Sequence, residues 1–151
     1  MSLLLGRGVM HNWCRQEALV SRDQHSATVT VMKVAHIGFG VKDLTRSKDF
    51  YKQIFEALGL PLIDESEQSV RFGMDGRAMF YVHTREAPPG PFHVAFEVET
   101  REAVNEFHRA ALAAGGRDNG VPGIRKHYSP TYYAAFVLDP DGHNLEAVCR
   151  V

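Results

Sequence analysis

Residues 35 to 41 of this chain read Ala-His-Ile-Gly-Phe-Gly-Val, and residues 92 to 98 read Phe-His-Val-Ala-Phe-Glu-Val. Both stretches have His second, a β-branched residue third, a small residue fourth, Phe fifth and Val last. The shift of 57 that carries His36 onto His93 also carries Phe50 onto Phe107, Phe55 onto Leu112, Ala57 onto Ala114 and Gly59 onto Gly116. A register held through strand, helix and helix stop marks a duplicated supersecondary unit. The chain must therefore fold as two copies of one module, each with an apolar face to bury.

Patterning gives the module its elements. Residues 34 to 41 alternate, with Ala35, Ile37, Phe39 and Val41 on one face and His36, Gly38 and Gly40 on the other. Asp43 or Thr45 can cap a helix whose apolar stripe is Phe50, Tyr51, Ile54, Phe55 and Leu58, and Gly59 stops it. The second copy has a strand at 92 to 98, Thr100 as cap, a stripe of Val104, Phe107, Ala111 and Ala114, then Gly115-Gly116. Short strand-like runs follow each helix. In the first copy they are Leu62-Ile63, 69 to 73 and 78 to 83, with a turn at Asp75-Gly76; in the second they are 133 to 138 and 145 to 151 around Asp139-Pro140-Asp141-Gly142. Each module is thus expected to be βαβββ, in an α+β fold whose two modules form a cupped mixed sheet. Module boundaries fall at 32–88 and 92–151, with Pro88-Pro89-Gly90-Pro91 as a stiff linker able to hold the modules apart.

The rest of the sequence shows less pattern. Residues 1–31 lack sustained periodicity and have no basic region before the brief Leu run. They read as a poorly ordered extension, or as the product of a start codon upstream of Met32. A formal net charge of −1 gives no electrostatic reason to expect nucleic acid or an anionic membrane, and no apolar run is long enough to span a bilayer. Cys14 and Cys149 make neither a disulfide framework nor a thiolate metal site, so a reducing cytoplasm is the default compartment.

Strand alternation then places the polar side chains. If the bulky apolar set faces the helices, His36 and His93 point the other way, each at the start of its module's first strand. In the last strand Asn144, Glu146 and Val148 share that direction, whereas Leu145, Ala147 and Cys149 face the helices. Two equivalent histidines and one carboxylate on the concave side of a sheet are the makeup of a divalent metal site for Fe, Mn, Zn, Ni or Co. The stretch from Arg117 to Tyr133 is longer than its counterpart, because the turn glycines Gly76 and Gly142 are 66 residues apart. It reads as a loop over the cup. His127, Tyr128 and Tyr133 are its candidates for substrate contact, with Arg71 in the first module.

Three stretches carry a resemblance: His36 to Tyr51 (HIGFGVKDLTRSKDFY), Phe92 to Val98 (FHVAFEV) and Phe136 to Val148 (FVLDPDGHNLEAV). Over 32–151 the chain resembles the vicinal oxygen chelate superfamily of glyoxalases, bleomycin-resistance proteins and extradiol dioxygenases. The resemblance implies one divalent metal held by His36, His93 and Glu146, a small substrate binding through adjacent oxygens, and a homodimer. Glyoxalase I is similar but takes a fourth ligand, Glu or Gln, from the last strand of its first module. That place falls here on Tyr81, or on Phe80 if the register slips by one. Extradiol dioxygenases are similar in the closing motif, with His127 in the place of a histidine beside the metal and Phe136 where they have Tyr. Tyr81 and His127 are accordingly the catalytic candidates. The implied function is a metal-dependent lyase, isomerase or dioxygenase. The alternative is a metal-free protein that sequesters a drug or metabolite.

Overall fold

A computed structural model describes residues 33–151, and the reading of 1–31 as an extension lies outside the described residues. The first module runs β1 (Ile37–Gly40), α1 (Leu44–Ala57), β2 (Leu62–Ser66), β3 (Ser69–Met74) and β4 (Arg77–His83). The second runs β5 (His93–Glu97), α2 (Arg101–Ala113), β6 (Arg117–Ile124), β7 (Tyr133–Leu138) and β8 (Asn144–Cys149). Each module is βαβββ, as the repeat requires.

Local chemistry explains the element ends. Asp43 accepts from the Arg46 amide at 3.0 Å and Thr100 from the Ala103 amide at 3.1 Å, so each helix has an oxygen on an otherwise orphaned N–H. Asp75 and Gly76 both adopt positive φ, of 51° and 73°, as the two-residue hairpin between β3 and β4 demands.

The two sheets share one topology. Their orders are β1-β4-β3-β2 and β5-β8-β7-β6, and in each the first strand lies parallel to the last while the other pairings are antiparallel. The duplication is visible in the register itself: Gly38 pairs with Tyr81 in the first sheet as Ala95 pairs with Glu146 in the second.

The sheets do not hydrogen-bond to each other; they meet through a common core. Phe50, Tyr51, Ile54 and Phe55 from α1 and Val104, Phe107 and Ala111 from α2 join the helix-facing residues of both sheets in that core. Phe96 of β5 lies edge-on to Phe55, with centroids 5.4 Å apart, and Phe92 packs on Phe39 at 4.7 Å. Phe92 and Phe96 are only partly buried, so each contributes less than the about 1.5–3 kcal/mol of a fully buried ring, and together with the rest of the core they join the modules. The Pro-rich linker therefore joins modules packed against each other within one chain, and does not hold them apart.

The expected long loop is different too. Its first half is a strand, β6, paired with β7 through two register shifts, and only 125–132 form a turn. Gly120, Pro122 and Gly123 interrupt the alternation that would have announced it.

Candidate functional site

In β5 and β8 the side chains that turn away from the helices build a half-site. His93 Nε2 lies 3.0 Å from Glu146 Oε2. Parallel pairing sets His93 opposite Asn144, one step from the Ala95–Glu146 pair on the same face. Glu146 is only 3% exposed, whereas the His93 side chain is about half exposed. A buried carboxylate needs partners, and its second oxygen has one: the Tyr132 hydroxyl donates to Oε1 at 2.7 Å. Burial, followed by the hydrogen bond and the charge of Glu146, pushes the Tyr132 phenol up to about 12, so it remains a donor at neutral pH.

Asn144 serves both forms of the His93 ring. Nδ1 lies 3.1 Å from the Asn144 carbonyl oxygen and 2.9 Å from the Asn144 side-chain nitrogen. A protonated Nδ1 donates to the carbonyl and leaves the Nε2 lone pair free; a bare Nδ1 accepts from the amide and leaves Nε2–H for Glu146. Asn119 Nδ2 donates to Asn144 Oδ1 at 3.0 Å and fixes the way that amide points.

The first sheet carries a matching but altered face. His36 stands one residue before β1, exposed, with its ring centroid 5.7 Å from that of Tyr81. The register settles which residue occupies the position of Glu146: it is Tyr81, while Phe80 is buried in the core. The Tyr81 ring lies across β1 where Gly38 has no side chain, and a Cβ there would fall 2.0 Å from the ring. Arg71 is directly opposite Tyr81 and pairs with Asp64 at 3.2 Å.

Both helix-facing surfaces are spent on the common core, so these two faces look outward. His93 and Glu146 come together; His36 does not join them. Among the described residues no three His, Cys, Asp or Glu side chains gather within one chain.

The remaining candidates separate. His127 and Tyr128 are exposed on the 125–132 turn with ring centroids 4.1 Å apart, and Tyr128 lies 4.9 Å from Tyr132. The three rings form a ladder leading outward from Glu146. Tyr133 does not face the half-site. Its register partner is Cys149, on the helix side, and its hydroxyl donates to Asn105 of α2 at 2.9 Å. The neighbouring Tyr132 is the residue that sequence reasoning missed. Counting back by twos from Phe136, which pairs with Glu146, would have found it. The Arg125 guanidinium lies over the Phe136 ring and donates to the Val121 and Ala134 carbonyls at 2.6 and 3.2 Å.

The half-site holds two donors of the kind a divalent ion takes, and no third joins them among the described residues. Imidazole nitrogen is a borderline donor and carboxylate oxygen a hard one, both with bonds near 2.1 Å, and two such donors at right angles sit about 3 Å apart. The His93–Glu146 spacing of 3.0 Å meets that requirement, and Asn144 holds the far ring nitrogen as ligating histidines require.

Comparison with known proteins agrees with this architecture. Residues 33–147 match the profile of the Glyoxalase/Bleomycin resistance protein/Dioxygenase superfamily. A crystal structure of a glyoxalase/bleomycin resistance protein from Albidiferax ferrireducens T118 is 26% identical with a TM-score of 0.66, covering 78% of this chain and 98% of that one. A glyoxalase/bleomycin resistance protein/dioxygenase family enzyme from Burkholderia phytofirmans PsJN shares the fold at 21% identity and TM-score 0.62, covering 80% and 100%. Lactoylglutathione lyase from Agrobacterium tumefaciens shares it at 18% identity and TM-score 0.58, covering 77% and 92%.

Proposed function

The chain belongs to the glyoxalase/bleomycin resistance protein/dioxygenase superfamily, and from that premise we propose that it is a divalent-metal-dependent enzyme acting on a small substrate with vicinal oxygens. Its reaction is of lyase, isomerase or dioxygenase type, and it works as a cytoplasmic homodimer. His93 and Glu146 of one copy and His36 of a second copy are the metal ligands in this reading. The observation that carries it is the buried Glu146 carboxylate set 3.0 Å from His93 Nε2 on an outward face. His36 occupies the equivalent position on the other outward face of the same chain. A second copy can therefore bring a His36 face to a His93 face, and a two-fold axis makes two such centres at once.

A bound ion would supply Lewis acidity to adjacent substrate oxygens and stabilise an enolate or similar oxyanion. The chain's own residues do the rest. The Asn144 carbonyl can accept from Nδ1–H and so support the tautomer whose Nε2 is bare, and Glu146 balances positive charge. Tyr81 and Arg71 form the facing wall, and the ladder of Tyr132, Tyr128 and His127 lines the way out. Where glyoxalase I has a carboxylate or amide, Tyr81 presents a ring and a hydroxyl, which separates this centre from lactoylglutathione lyase.

Elemental analysis of the purified protein tests the proposal. One divalent ion per chain is the expected result. A protein that takes up none, even when offered Fe, Mn, Co, Ni and Zn, would be a sequestration protein and the proposal would fall.

A further inference from the structure

Arg125 carries a charge that the chain does not pair. Those of its N–H donors that sit on Nη2 go to the Val121 and Ala134 carbonyls at 2.6 and 3.2 Å. Nε is buried with no hydrogen-bond partner, and Nη1 makes no hydrogen bond among the described residues. No ion pair among those residues includes Arg125. The nearby Asp118 is committed elsewhere: its Oδ1 lies 2.9 Å from His108 Nε2 and accepts the Gly120 amide at 3.0 Å. A polar group left unpaired in a native fold needs a reason.

The irregular strand β6 makes room for this side chain. Gly120 has a φ of 154°, and a Cβ there would fall 2.9 Å from the Phe136 ring and 3.2 Å from Arg125 Nη2. Gly123 leaves open space, because a Cβ there would meet only Arg125 Nη1, at 3.9 Å, and the Val121 carbonyl oxygen, at 4.0 Å. The free donors of Nη1 border that space. The guanidinium carbon lies 5.2 Å from the centroid of the Phe136 ring. Phe136 is the strand partner of Glu146, and its ring is 6.2 Å from that of His93. The unpaired cation therefore stands on the outward face, one ring away from the half-site.

We propose that Arg125 is a substrate-binding residue whose Nη1 takes a carboxylate in the space beside Gly123, while the rest of the small molecule lies over Phe136 towards His93 and Glu146. This rests on the reading above for the face that the substrate occupies, and not for the ion. One delocalised positive charge with free donors on Nη1 matches a carboxylate. Glu146 on the same face adds negative charge, which weighs against a more highly charged ligand such as phosphate.

Titration of EDTA-treated, nitrogen-15-labelled protein tests it, with magnetic resonance of the Arg125 Nε–H and the Ile124 amide as local reporters. The probes are propanoate, propanamide as its uncharged match in shape, and inorganic phosphate. Wild type should show a saturable response to propanoate and none to propanamide. Arg125→Gln should weaken propanoate binding on the order of tenfold or more, the scale of a hydrogen bond between charged groups. That variant also loses the bonds to Val121 and Ala134, so Gly123→Asp is the second test. It keeps those bonds, puts a carboxylate of the chain's own beside Nη1, and should block propanoate to the same degree. Lys126→Gln removes the exposed charge next in sequence and should bind as wild type does. Absence of propanoate binding in wild type, unchanged affinity in either test variant, or phosphate bound more tightly than propanoate would overturn the proposal. No ion is present in these titrations, so their failure leaves the metal reading standing, and a failure of metal uptake leaves the carboxylate site standing.

Discussion

Tyr51, on the helix of the first module, donates its hydroxyl to Oδ2 of Asp139, in the last turn of the second, at 2.5 Å. The other oxygen of Asp139 accepts the backbone N–H groups of Asp141 and His143 at 2.9 and 2.8 Å, and the carboxylate is 3% exposed. One side chain thus ends a hairpin and bonds the two modules together.

Tyr51→Phe should leave that carboxylate buried and short of a donor, at a cost of about 1.5–3 kcal/mol, read as a lower urea midpoint. Burial first, then the Asp139 charge, raises the Tyr51 phenol well above 10.0. The unfolded phenol ionises near that value, so this stabilisation is complete below pH 10 and is lost as pH rises towards the folded pKa. The gap between wild type and Tyr51→Phe should therefore narrow above about pH 10. An unchanged urea midpoint at neutral pH would show that the bond does not hold the modules together.

The proposed ligand set predicts that His36→Ala, His93→Ala and Glu146→Ala each lose bound divalent metal in an elemental assay. Circular dichroism should remain that of the folded chain, because the common core contains none of the three. Full retention of metal in all three variants would exclude this centre.

Shared ligation predicts complementation. His36→Ala and His93→Ala homodimers each have two damaged centres. A mixed dimer gathers both lesions into one centre and leaves the other whole. Mixing the two proteins under conditions that exchange subunits should restore up to about one centre per mixed dimer, measured as bound metal. No recovery, with exchange demonstrated by differently tagged subunits, would place each centre within a single chain.

A chain beginning at Met32 should fold and bind metal as the full chain does, since the duplicated unit uses only residues from there onward. Loss of either property on truncation would mean that residues 1–31 contribute an element of the domain.

The sequence revealed most where side chains obey a period. The β1 and β5 faces, both helix stripes and the 75–76 hairpin follow from alternation, helical spacing and turn chemistry, and the structure has all of them, with β1 starting at Ile37 where alternation had run from 34. Alternation also placed His93 and Glu146 on one face. β6 escaped because an edge strand with two register shifts need not alternate, and its glycines and proline read as loop. Tyr132 escaped because it lies one residue before β7, so a strand read from 133 onward leaves it out, although the same alternation carried back from Phe136 reaches it. The separation of His36 from His93 was hidden for another reason. Hydrophobic patterning says that a face must be covered, but not whether the cover is the other module or a second copy.

The Tyr81 ring lies where Gly38 has no side chain, and this carries a history. In the second module the same pair of positions is Ala95 and Glu146, so the two halves have diverged at the heart of their sheets. Giving Gly38 the methyl group of its counterpart would drive it into the Tyr81 ring. Replacing Tyr81 with a carboxylate would leave the space above Gly38 empty. Each step back towards twin halves is penalised until the other has been taken. The pair therefore acts as a latch: neither position can be made like its counterpart alone without a clash or a gap, so the two halves are not interchangeable at this point.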